Sequence, residues 1–178
     1  QPVAAPTPAI TQPVAPTPQL AALPYNAALE ARFTDPSTRY ETPGLAANRQ
    51  QFTTQTELTA WLQSLSAKSP AGYRLDTATI GTSQRGLPIL ALIASQAPNT
   101  QATTLNSNGK PTILLVGGQR GDEPASTEAL LALTRELGMG GLLAPLLQQI
   151  NIIVVPRANP DATEANSRTT ADGTDLTH

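Results

Sequence analysis

The 178-residue sequence contains no cysteine, and its one histidine is the final residue, His178. The first absence excludes a disulfide scaffold, a cysteine zinc finger and a thiol nucleophile, and the second excludes any site needing two histidines from this chain. Neither sign of charge dominates: 11 basic residues face 13 acidic ones, for a net charge of -2. That balance leaves no electrostatic footprint for nucleic acid or an anionic membrane surface. No apolar run approaches the roughly 18 residues of a membrane span. Aromatic residues make up only 3% while prolines number 17, which is unusual for a packed domain and points to a part of the chain outside the core. What is present, 39% hydrophobic residues in this length, suits one domain with its own core and is too little for two full enzymes.

Seven of the prolines lie within residues 1–24, and no charged residue precedes Glu30. The stretch holds a near-repeat, Gln1-Pro2-Val3-Ala4 with Pro6-Thr7-Pro8 and Gln12-Pro13-Val14-Ala15 with Pro16-Thr17-Pro18. Such a sequence favours extended polyproline II and lacks the apolar area to offset its ordering entropy. Residues 25–44 carry the turn clusters Thr34-Asp35-Pro36-Ser37 and Thr42-Pro43-Gly44 and read as connecting chain. Residues 1–43 are therefore expected to form a Pro-rich tail and linker, extended or disordered in part, and residues 44–178 the folded domain. The tail reads as a spacer, with a ligand for an SH3-like partner as the alternative. A chain opening on Gln rather than Met points to a removed leader. With the cysteine-free composition, this predicts an exported protein, periplasmic or extracellular.

The folded part alternates helix and strand patterns. Leu58, Trp61, Leu62 and Leu65 follow the spacing of one buried helical stripe, predicting a helix over 56–66 capped by Thr54 or Thr56. Residues 73–80 and 88–94 read as two strands of an antiparallel hairpin around Gly81 and Gly86. Thr112-Ile113-Leu114-Leu115-Val116 is a continuous apolar run and is expected to be a central strand covered on both faces. A helix over 128–137 presents Leu130, Leu133 and Leu137, starts near Pro124 and stops at Gly138 and Gly140. Asn151-Ile152-Ile153-Val154-Val155 then completes a βαβ unit with parallel strands. The fold class is α/β, a mixed, partly parallel sheet flanked by helices.

In open sheets of this kind ligands bind beyond the carboxyl ends of the parallel strands. Here those ends lead into Gly117-Gly118-Gln119-Arg120-Gly121-Asp122-Glu123-Pro124 and Pro156-Arg157-Ala158-Asn159-Pro160-Asp161. Glu123, held out of the helical region by Pro124, suits a metal ligand or an anchor. Alternatively, Asp122 or Glu123 caps the helix and compensates its dipole. Arg120-Gly121-Asp122 is also the adhesive tripeptide read by integrins, a three-residue match that arises often by chance.

In this order, Ile80 to Gly86, Gly117 to Pro124, Asn159-Pro160-Asp161, Arg168 and Gly173-Thr174-Asp175-Leu176 resemble the amino-terminal half of the zinc metallocarboxypeptidases of the carboxypeptidase A-like family. The resemblance spans residues 44–178, roughly half of such a catalytic domain. It implies a partial carboxypeptidase-like fold and hydrolysis of a C-terminal peptide bond by zinc-activated water in the full domain. In that family two histidines and a glutamate hold the zinc. The resemblance puts Glu123 on the glutamate ligand and Arg120 on a histidine ligand. A guanidinium stays protonated and has no lone pair for a metal. The second histidine and the general-base glutamate fall in the half this chain lacks, and His178 cannot replace both histidines. Arg168 matches the arginine that stabilises the oxyanion. Asn159, Thr177 and His178 fall on the substrate side, the last two near the residues that bind the terminal carboxylate.

The resemblance yields two functional readings, beside a bare structural spacer. One is the amino-terminal portion of an exported zinc carboxypeptidase, inactive as this chain alone. The other is a non-catalytic relative that binds a peptide with a free C-terminal carboxylate. Tight zinc binding is not expected, and Arg120 is expected to pair with Glu123 or Asp122 instead. An unpaired sheet edge would favour self-association.

Overall fold

The structure is a computed structural model that describes residues 40–139 and 141–177. The tail reading, Gly140 and His178 fall wholly or largely outside those residues. The elements are α1 (Gln55–Ala67), β1 (Arg74–Thr82), β2 (Pro88–Ser95), α2 (Ala102–Ser107), β3 (Thr112–Val116), α3 (Ala125–Gly138), β4 (Asn151–Val155) and α4 (Pro160–Ala165), with a 3-10 turn at Ala144–Gln148. Four strands form one mixed sheet in the order β1-β2-β4-β3. The first two junctions are antiparallel, and β3 runs parallel to β4.

Each element begins where the sequence supplies the stop or start. Thr54 caps α1 in a capping box, its hydroxyl accepting from the Glu57 N–H while Glu57 Oε2 accepts from the Thr54 N–H at 2.8 Å. Arg49 donates to both Glu57 oxygens at 2.7 Å. These hydrogen bonds, those from Thr54 foremost, hold the Glu57 carboxyl below its ordinary range. Leu58, Leu62 and Leu65 are buried by α1 against Leu75, Leu92, Ala94, Ile152 and Val154. Alternation puts those five sheet residues on one face, where Leu75 pairs with Ala94, Ala94 with Ile152, and Leu92 with Val154. Fully burying each such leucine contributes about 1.5–3 kcal/mol.

Two expectations are corrected. Strand β3 is an edge strand, not a central one, with Ile113, Leu114 and Val116 exposed by 41%, 59% and 45%. The inner place goes to β4, which pairs on both sides, so an apolar run alone cannot tell which strand of a βαβ unit lies inside. In α3 the buried stripe is Thr127, Glu128, Leu131, Thr134 and Leu137, and Leu130 and Leu133 are only partly buried beside it. The stripe is rotated because it carries a buried carboxylate. Glu128 accepts from the Thr42 hydroxyl and the Thr53 N–H, both at 2.7 Å, tying residues 42–53 to the helix. The fully buried Arg157 reaches the same segment, donating to Thr53 O at 2.6 Å and to Gln55 Oε1 at 3.3 Å.

Candidate functional site

Beyond the strand ends the β3–β4 pairing continues into both loops. The Gly117 N–H donates to Val155 O, the Ala158 N–H to Gly117 O and the Asn159 N–H to Gly118 O, each at 2.9 Å. Gly118 has φ +60, and a side chain there would meet the Arg157 backbone at 2.8 Å, so glycine is required. The Asn159 side chain ties the loops further. Its Nδ2 donates to Gln119 O at 3.1 Å, and its Oδ1 accepts from the Ala162 N–H as the cap of α4. A third loop joins through Ser167, whose carbonyl accepts from the N–H groups of Gly121 and Asp122 at 2.8 and 3.2 Å.

A cluster of charge sits on this framework. Arg120 grips Asp122 with two bonds, Nε to Oδ1 at 3.0 Å and Nη2 to Oδ2 at 2.8 Å, and reaches Glu123 Oε1 through Nη1 at 2.7 Å. The fork geometry of that pair holds the Asp122 carboxyl below its ordinary range and pushes the Arg120 guanidinium above its own. On the third loop, Arg168 Nε donates to Asp175 Oδ2 at 2.6 Å. Asp175 Oδ1 accepts from the Thr177 hydroxyl at 2.6 Å and its N–H at 3.0 Å. Those bonds from Thr177, then the Arg168 contact, hold the Asp175 carboxyl far below the usual carboxylate range. The two groups are close enough to interact by charge, Arg120 with Asp175 and Asp122 with Arg168. Two guanidinium groups against Asp122, Glu123 and Asp175 leave one excess negative charge.

Beside the cluster lies a cavity of about 210 Å³ lined by Gln84, Asn159, Asp161, Thr170 and Leu176 among others. Buried Asp161 fixes its wall, accepting from the Ser83 hydroxyl at 2.7 Å and the Arg85 N–H at 3.0 Å, which anchors the β1–β2 turn to α4. Asp172 braces two of the lining residues, Thr170 and Gln84, from behind. It accepts from the Thr170 hydroxyl at 2.5 Å and the Thr174 N–H at 3.1 Å, while its own N–H donates to Gln84 Oε1 at 3.0 Å. Led by the Thr170 bond, these contacts hold the Asp172 carboxyl far below its ordinary range.

The structure thus brings together Arg120, Glu123, Arg168 and Thr177. It places Asn159 beside them, with its side chain buried and both ends engaged. His178 lies outside the described residues. Neither Asp122 nor Glu123 caps α3, because Arg120 holds both carboxylates and Pro124 takes the cap position without a side-chain bond. The adhesive tripeptide is folded on itself, with Arg120 paired to Asp122 and Gly121 buried against α4. Asp161 and Asp172 were missed as organisers of the site. Their partners Ser83 and Gln84 lie 78 and 88 residues away, and nothing in the sequence links them.

The zinc carboxypeptidase family matches residues 58–177. The chain belongs to that family. Among curated relatives, carboxypeptidase D of Mus musculus is 35% identical over 117 residues, covering 58% of this chain and 8% of the relative. Carboxypeptidase E of Caenorhabditis elegans is 30% identical over 115 residues, covering 62% and 23%. The chain therefore spans less than a quarter of the length of either. Among solved structures, the carboxypeptidase A from Helicoverpa armigera superposes with a TM-score of 0.55 at 21% identity, covering 67% of this chain and 29% of that one. A metallo-carboxypeptidase from Burkholderia cenocepacia gives 0.54 at 19%, covering 70% and 31%. At these identities the superpositions establish the fold, a carboxypeptidase-type mixed sheet with flanking helices.

The family's ion does not fit the donors found here. Zinc takes nitrogen, thiolate or carboxylate lone pairs in a tetrahedral set. At this loop both carboxylates already accept from Arg120, whose guanidinium offers only donors and a positive charge. Among the described residues no three His, Cys, Asp or Glu side chains gather as a metal would need.

Proposed function

We propose that this zinc carboxypeptidase-family chain is a non-catalytic peptide-binding protein that recognises a free C-terminal carboxylate. The observation that carries the reading is the double pairing of Arg120 with Asp122 and Glu123, which fills the loop where the family's glutamate ligand would open to metal. Arg168 supplies the recognition. A guanidinium forks onto a carboxylate with two parallel bonds, and Asp175 keeps its Thr177 bonds when Arg168 turns from it toward a ligand. The cavity beside Asn159, Asp161 and Leu176 receives the terminal side chain. An exported location, periplasmic or extracellular, is part of the reading, on the cysteine-free composition with its Pro-rich first segment. So is self-association through the open edge of β3.

A second reading is favoured by the family match over residues 58–177: hydrolysis of the C-terminal peptide bond by the whole protein. Calorimetric titration of a short peptide, followed by mass spectrometry of the recovered peptide, separates the two. We expect binding of the free-acid peptide, no binding of its C-terminal amide, loss of at least about tenfold in affinity in Arg168→Ala, and an intact peptide at the end. Equal binding by the variant would remove the recognition role, and a shortened peptide would establish the second reading.

A further inference from the structure

We infer that Arg120 is the resident cation of the loop after β3, doing by ion pairing what a divalent metal would do by coordination, so that the loop assembles without metal and is closed to it. The inference concerns the metal chemistry of this loop and does not depend on peptide recognition.

Two sets of observations carry it. The loop's shape is fixed by contacts that do not involve the Arg120 side chain. These are the pairing of Gly117 and Gly118 with Val155, Ala158 and Asn159, the Asn159 bond to Gln119 O, and the two N–H bonds to Ser167 O. Gly121 packs so closely on α4 that an added Cβ would lie 2.0 Å from the Ala162 carbonyl carbon. Within this preformed turn, Asp122 and Glu123 both present a carboxylate oxygen to one guanidinium. Arg120 is the cation they share, with three bonds of 2.7 to 3.0 Å that engage three of its nitrogens at once. An arginine at this place stays protonated throughout the accessible pH range. The slot is occupied by a charge tethered two and three residues from its partners, so a soluble ion must compete with an intramolecular contact.

The consequence is specific to one side chain. Replacing the guanidinium with an imidazole frees Asp122 and Glu123, removes the charge that repels a cation, and adds a nitrogen ligand three residues before Glu123. The experiment uses the full chain, stripped of metal and titrated with Zn²⁺ by calorimetry, with thermal melting in Zn²⁺ and in EDTA alongside. The unaltered chain is expected to melt at the same temperature in both and to hold well under one equivalent of zinc after dialysis. Arg120→His is expected to bind Zn²⁺ at least about tenfold more tightly than the unaltered chain, and adding Glu123→Gln to it should remove the gain. A stabilisation of the unaltered chain by Zn²⁺, lost in Glu123→Gln, would overturn the inference even if the histidine variant failed to fold. So would a folded Arg120→His protein with no gain in zinc affinity, or a gain that survives Glu123→Gln.

Discussion

Gly121 and the acidic residues around it show how much of the site rests on single positions. A methyl group at Gly121 would overlap the backbone of Ala162, and backbone cannot rotate away as a side chain can. Gly121→Ala is therefore expected to lose about 1–3 kcal/mol in chemical denaturation, with the Ser167 bonds the first to open. A loss below a few tenths would mean that the loop has slack. The acid limb of stability is expected to draw on Asp172 and Asp175, with Glu57 and Asp122 beside them. All four carboxyls lie below their ordinary range in the folded chain. Their contribution is therefore present above the unfolded value of about 4 and is lost as pH falls through the lower folded values. The melting temperature should fall on acidification below about pH 4, and Asp175→Asn should flatten that fall. An unchanged acid limb in the variant would remove Asp175 from the balance. Sequence composition points the other way for Arg157. Arginines are mostly exposed, yet this one is buried with its Nε unpartnered, and desolvation lowers its basicity. No local pattern marks a charge for burial when its partners, Thr53 and Gln55, lie 104 and 102 residues away.

At the scale of the elements, local signals were legible and tertiary ones were not. Of the two expected caps, Thr54 starts α1, and Gly86 falls between β1 and β2 while Gly81 lies inside β1 at a shift of register. The Gly117–Pro124 loop and the Arg168 loop were picked out by motif, and the structure stitches them through Ser167. The stripe of α3 lies one position beyond Leu130 and Leu133, because it buries Glu128, Thr127 and Thr134, which hydrophobic periodicity does not mark. That carboxylate satisfies a buried hydroxyl and a buried N–H and compensates the charge of Arg157. Glu128→Ala leaves all three without it and is expected to cost about 3 kcal/mol. Hydrogen exchange should show residues 42–53 opening first. Retained protection there would mean that Arg157 alone holds the segment.

For the molecule as a whole, the open side of β3 is the least settled surface in energetic terms. Leu114 and Val116 face outward on a strand with no charged residue, and Leu114 continues the row of Ile93 and Ile153 across three strands. Exposed apolar edges of this kind invite a further strand. Sedimentation at rising concentration is expected to show association that Leu114→Lys suppresses. A compact monomer at every concentration would exclude this edge as a contact. The family likeness was legible because short ordered motifs survive in sequence, whereas the edge position of β3 depends on which strands lie beside it.

The two loops beyond the sheet are joined by backbone hydrogen bonds, the carbonyls of Gly117 and Gly118 on one side accepting from the N–H groups of Ala158 and Asn159 on the other. They therefore behave as one hinged plate rather than two independent arms. Whatever settles on the arginine side must be felt at the asparagine side, and the amides of Ala158 and Asn159 should slow their deuterium uptake together when either is occupied.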